Sequence, residues 1–157
     1  MGVTIQIVGG QQFFKPGKVG VELLEPIIDP VLDEQIQNLY HRTMDERMVD
    51  GRSSGDSRTG RHLFGHLKAA GAEIIAAGAS DWVVFPGSHG YPQDEAYFLH
   101  FIIHTIQQAL AGHAELDAPR FERWVAARHA QIARGELVYI AHQLDFMGRV
   151  SSDRSSA

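Results

Sequence analysis

Residues 93–111, QDEAYFLHFIIHTIQQALA, decide how this chain folds. Ala96, Leu99, Ile103, Ile106 and Leu110 recur at helical spacing, and Phe98, Ile102, Thr105 and Ala109 run beside them. An apolar surface that wide predicts a helix buried on most of its sides. Gly112 ends it. One polar line interrupts the surface: Tyr97, His100, His104 and Gln107. Either that line faces water, or it borders a cleft in which polar groups meet a ligand.

Working outward, Ala72–Phe85 reads as a buried strand region, AEIIAA then WVVF, with Gly78 between them as a bend or bulge. Pro86-Gly87 and Gly90-Tyr91-Pro92 bound a tight loop before the long helix. After it, Asp117 and Pro119 start a second helix to Arg134, with Phe121, Val125, Arg128 and Ile132 at helical spacing and Gly135 behind. Leu137–Phe146 is apolar on both faces, the pattern of a central or doubly covered strand.

Toward the N-terminus, Asp29 caps a helix with Pro30 at its first position. Leu32, Ile36, Leu39, Tyr40 and Met44 carry it to about Arg47, and Asp33 and Glu34 complement the dipole of its first turn. DGRSSGDSRTG (50–60) predicts a loop, and a shorter helix follows from about Arg61 to Gly71 with Leu63, Leu67 and Ala70 inward. Residues 3–8 alternate as a short strand closed by Gly9-Gly10, and Val19–Leu24 reads as another. Residues 150–157 read as a frayed, disordered tail. The order of elements is α/β, with too few strands for a complete doubly wound sheet.

Two histidine pairs have one-turn spacing: His62/His66 in HLFGH and His100/His104 in HFIIH. Neither holds the glutamate of H-E-x-x-H, and no third ligand stands at a recognisable distance, so no metal site is expected. Gly55 and Gly60 have Walker spacing, but Arg61-His62 replaces Lys-Ser/Thr. Arg58 and Arg61 there read as solvated arginines at a capped helix entry, the alternative being contacts to an anion at the helix start. No G-x-G-x-x-G opens a βαβ unit, and no G-x-S-x-G elbow is present.

Composition narrows the class. The 157 residues are 44% hydrophobic and 21% charged, which suits one globular domain. Fourteen basic against nineteen acidic residues give a net charge of −5, which argues against a nucleic-acid partner. There are no cysteines, so disulfide frameworks and thiolate chemistry are excluded. No apolar run reaches the ~20 residues of a membrane span, and the N-terminus has no signal-peptide pattern. The expectation is a cytoplasmic protein without a membrane partner.

Four stretches resemble the C-terminal half of class I S-adenosylmethionine-dependent methyltransferases: LEPIIDPVLDEQIQNLYHRTMD (24–45), GDSRTGRHLFGHLKAAGAEIIAAGASDWVVFP (55–86), YPQDEAYFLHFIIHTI (91–106) and GELVYIAHQLDFMGR (135–149). The resemblance runs over residues 23–149 and leaves 1–22 as a divergent segment. It implies a partial Rossmann-like fold, with a few-stranded mixed sheet and antiparallel C-terminal strands. Residues 72–85 and 137–146 would be the last two strands, and the helices 93–111 and 117–134 an insertion covering an acceptor pocket. The family holds S-adenosylmethionine with a glycine-rich loop and an acid for the ribose. Neither is found here, and Gly9-Gly10 before Gln11-Gln12 is no substitute, so this chain alone is not expected to bind the cofactor.

The leading expectation is therefore the acceptor-side portion of a small-molecule methyltransferase. Tyr97, His100, His104 and Gln107 would be its acceptor contacts, with an imidazole as base. The rival is a non-catalytic binding or dimerisation module, forming a homo-oligomer through uncovered apolar faces. A metal-dependent enzyme built on the histidine pairs is a third.

Overall fold

Local chemistry sets the helix starts. The Asp29 carboxylate accepts from the amides of Val31 and Leu32, both at 3.1 Å, and Pro30 takes the first helical position of α1 (Pro30–Asp45). Asp117 does the same for α4 (Ala118–Ala133), accepting from the Arg120 amide at 2.9 Å. Between them in the chain lie α2 (Thr59–Ala69) and α3 (Glu95–Leu110). Gly135, just past α4, has φ +65°, the left-handed geometry that lets the chain turn out of a helix.

The computed structural model describes the backbone of residues 5–8 and 11–150 and the side chains of residues 24–149. Residues 3 and 4, Gly9-Gly10 and residues 151–157 lie outside the described residues. The fold is mixed α/β, with four helices among the described residues and a small sheet in the spatial order β1-β2-β6-β5. These strands are β1 (Ile5–Val8), β2 (Gln11–Glu25), β5 (Ala72–Val84) and β6 (Val138–Val150). β1 and β2 pair antiparallel, Ile5 opposite Phe14.

Four expectations need correction. The segment read as loop from Asp50 begins with a hairpin, β3 (Met48–Val49) against β4 (Arg52–Ser53). Asp50 (φ 51°) and Gly51 (φ 73°) both take the left-handed conformation that a two-residue hairpin turn demands. The short strand expected at Val19–Leu24 belongs to a strand of 15 residues. The last strand does not stop at Phe146 but reaches Val150, the first residue assigned to the tail. The buried strand expected over Ala72–Phe85 runs unbroken through Gly78 as β5, but of its residues only Ala72 and Val84 are buried, and Ile75, Trp82 and Val83 are exposed.

The chain forms two compact units. One holds Glu22–Gly55 and Val83–Ile140 and therefore α1, α3 and α4. There α3 packs against both α1 and α4. Leu99, Ile103, Ile106 and Leu110 on α3 are buried, as are Leu32, Ile36 and Leu39 on α1 and Phe121, Trp124, Val125 and Ile132 on α4. Each such side chain contributes about 1.5–3 kcal/mol of burial. Phe98 meets Tyr139 edge-on, ring centroids 5.5 Å apart. The other unit holds Asp56–Trp82 and the strand residues from Ala141 onward. Its small core joins Leu63 and Leu67 of α2 to Ala72 and Phe146, with Ile74 and Leu144 packed alongside. No helix among the described residues is long and apolar enough to cross a membrane.

Candidate functional site

Arg128 sits in the apolar stripe of α4, where a charge must find partners or destabilise the fold. Its side chain is 1% exposed, and it forms an ion pair with Asp33 in the first turn of α1. Nη1 of Arg128 also donates to the Pro26 carbonyl at 2.8 Å and to Gln131 Oε1 at 3.0 Å. The guanidinium carbon lies 5.2 Å from the centroid of the Trp124 ring, a cation–π distance. The indole N–H of Trp124 donates to Asp33 Oδ1 at 2.7 Å.

Asp33 earns its place by accepting on both oxygens. Oδ2 takes the amides of Ile28 (3.0 Å) and Asp29 (2.8 Å), which tie the chain entering α1 to the helix itself. The neighbouring Asp29 carboxyl is held below the usual carboxylate range, chiefly by the Arg120 guanidinium, with the amides of Leu32 and Val31 helping.

This ion pair borders a cavity of about 210 Å³. Ile27, Ile36, Ile102, Ile106, Trp124 and Tyr139 supply apolar and aromatic wall, and Glu25, Glu34 and His41 also line it. An apolar chamber with a few converging polar groups is the form that small-molecule sites take.

The polar line of α3 lies apart from that cavity, none of its four residues being among the lining. The face α3 gives to the cavity is that of Ile102 and Ile106. Tyr97 is exposed and stacks on Phe101, centroids 6.5 Å apart. His100 is half-buried against α4: its Nδ1 lies 2.7 Å from Nδ1 of His129, with the rings stacked at 4.9 Å. At that distance one nitrogen must donate and the other accept, so the pair shares a single proton between the rings. Burial pushes the His129 imidazole below its ordinary range, and the charges of His100 and His104 push it further. His104 is exposed and Gln107 half-buried. The structure thus joins His100 to a partner, His129, that the sequence reading did not single out.

His62 and His66 are both exposed on α2, and His62 Nδ1 bonds Asp56 Oδ2 at 2.8 Å. Burial pushes the Asp56 carboxyl up, but His62 and the Arg58 amide outweigh it, so the net shift is downward. Arg58 and Arg61 are exposed at the start of α2. Among the described residues, no group of three or more His, Asp or Glu side chains is placed to hold a metal ion.

Asp33 and Arg128 were legible only singly. The first reads as a dipole-complementing acid and the second only as one of four residues at helical spacing along α4. An arginine at such a position is itself a signal, since burial requires a carboxylate somewhere, but the sequence does not say which. No protein-family model, curated protein or solved structure matches this chain.

Proposed function

We propose that the chain is the acceptor-side portion of an S-adenosylmethionine-dependent small-molecule methyltransferase, built on a partial Rossmann-like fold. The observation that carries this reading is the cavity. Ile102 and Ile106 of α3 and Trp124 and Arg128 of α4 line it, and these two helices lie in sequence between β5 and β6. The resemblance puts an acceptor-covering insertion at that point in the chain. The neighbouring positions of β5 and β6 in the sheet also suit the last two strands of that family.

Methyl transfer from an activated sulfonium depends mainly on positioning the acceptor, which an apolar, shaped chamber does by excluding water and limiting orientation. S-adenosylmethionine itself does not fit the residues described. The Asp29 carboxylate already occupies the first amides of α1, and α3 opens on Asp94-Glu95 without a glycine-rich turn at its first residues.

The test is to extend the chain by the coding sequence directly upstream and assay transfer of a labelled methyl group. A glycine-rich strand–loop–helix segment in the extension, with transfer by the longer protein and none by this chain, is the expected result. An extended protein that binds no S-adenosylmethionine overturns the reading.

A non-catalytic binding or dimerisation module is the second reading. It is favoured by Tyr97 (72% exposed) and Phe101 (55% exposed), stacked on the surface of α3. Sedimentation across a broad concentration range, with a Phe101→Ser variant as control, separates a self-associating chain from a monomer.

A further inference from the structure

The carboxylates along its wall decide what the cavity takes. Asp33 is already engaged: Oδ1 takes Arg128 and the Trp124 indole, and Oδ2 the amides of Ile28 and Asp29. Its charge is balanced by the same Arg128. Glu25 and Glu34 line the cavity too, and neither forms an ion pair among the described residues. Glu25 is half-buried, and its Oε2 accepts the Ile27 amide at 3.1 Å, which holds that carboxylate beside another residue of the wall. Glu34 is exposed, so it stands at the rim.

Charge therefore selects the ligand. With Asp33 and Arg128 cancelling, Glu25 and Glu34 leave the described lining negative, and it stays negative even with His41 protonated. Carboxylates at the mouth of a low-dielectric chamber focus their field into it, which draws in a cation and repels an anion. The attraction acts across several ångströms, so it works from the rim on a group just inside.

Size and wall chemistry supply the rest. The volume of about 210 Å³ exceeds the roughly 150 Å³ of an apolar cavity that holds benzene. It accommodates one ring on a short arm between isoleucines and the Trp124 and Tyr139 rings. We infer that the cavity binds a protonated amine carried by a single apolar ring, with the ring inside and the ammonium beside Glu25 and Glu34. The inference rests on reading the cavity as the acceptor side.

The test is a titration of the ¹⁵N-labelled full chain with three probes of similar shape. Phenethylamine carries the ammonium, phenethyl alcohol is neutral, and phenylacetate is anionic. The amine is expected to bind about tenfold more tightly than the alcohol, the combined worth of two exposed ion pairs. It is also expected to shift the amide resonance of Ile27, whose acceptor is the Glu25 carboxylate. Phenylacetate is expected to bind most weakly. Replacing both acids, Glu25→Gln with Glu34→Gln, keeps the size of each side chain and is expected to level amine and alcohol. Should that variant fail to fold, salt at about 1 M, where the screening length is about 3 Å, is expected to level them in the unaltered chain.

Equal affinity of amine and alcohol overturns the inference, as does tightest binding by phenylacetate; either leaves the methyltransferase reading standing, because the cavity still takes a ligand. An amine preference that survives the double substitution or high salt overturns the inference too. So does a shift confined to the exposed Tyr97 and Phe101. If the folded chain binds none of the three, the inference falls and the methyltransferase reading loses the observation that carries it. Phenethylamine binding with no methyl transfer by the extended protein leaves the ligand class standing and sinks the methyltransferase reading alone.

Discussion

Arg128 and Asp33 stand 95 residues apart in the chain and form an ion pair with the arginine side chain 1% exposed and the aspartate 17% exposed. The pair joins α4 to α1, and through Asp33 it also fixes Trp124 and the amides of Ile28 and Asp29. Buried charges of this kind do not add stability in proportion to their attraction, because both partners lose water. Their removal one at a time is a different matter.

Asp33→Ala leaves the guanidinium buried without its counter-charge and frees four donors at once. It is expected to lower unfolding stability by about 3–5 kcal/mol. Urea denaturation measures this directly, and a loss below about 1 kcal/mol would show that the pair is dispensable.

The face assignment of α3 makes a paired prediction. Ile103 is fully buried, so Ile103→Ala is expected to cost about 2–5 kcal/mol through lost transfer energy and the void left behind. Phe101, two residues away and 55% exposed, is expected to tolerate alanine within about 0.5 kcal/mol. Comparable losses at the two positions would mean that the helix is rotated from the orientation described.

His129 gives the stability a pH dependence of known sign. Burial and the neighbouring His100 and His104 depress its folded pKa below the ordinary 6.5. The unfolded chain therefore takes up the proton first as pH falls. Stability is full above about pH 6.5 and declines as pH drops through that value toward the depressed folded pKa. His129→Gln is expected to flatten this acid limb in thermal unfolding measured from pH 7.5 to 5; an unchanged slope would count against it.

Two glycines are expected to respond oppositely to alanine. At Gly55 a Cβ would stand 1.6 Å from the Met44 carbonyl oxygen, a backbone atom that cannot swing aside. Gly55→Ala is expected to destabilise by about 1–3 kcal/mol or more. Gly65, inside α2, has open space around its Cβ position, and there alanine is expected to add about 0.5–1 kcal/mol. Melting temperatures of the two variants should move in opposite directions.

What the sequence by itself determined is local. Apolar periodicity and the Asp29-Pro30 and Asp117/Pro119 signals place α1, α3 and α4 within about two residues of their observed ends, because capping and helical spacing are decided by near neighbours. The Asp50-Gly51 turn was equally local, yet the surrounding glycines and serines hid it: composition says loop, while two left-handed residues in a row say hairpin. Tertiary structure alone decided which carboxylate answers Arg128, which imidazole faces His100, and which side of α3 meets the cavity. Each depends on elements brought together from distant stretches, 95 residues apart for the ion pair and 29 for the histidines. The polar line of α3 is the exception on an apolar helix, and its four residues do not line the cavity. The cavity formed on the apolar side instead, where α1 and α4 enclose space around a charge that had to be paired to be buried at all.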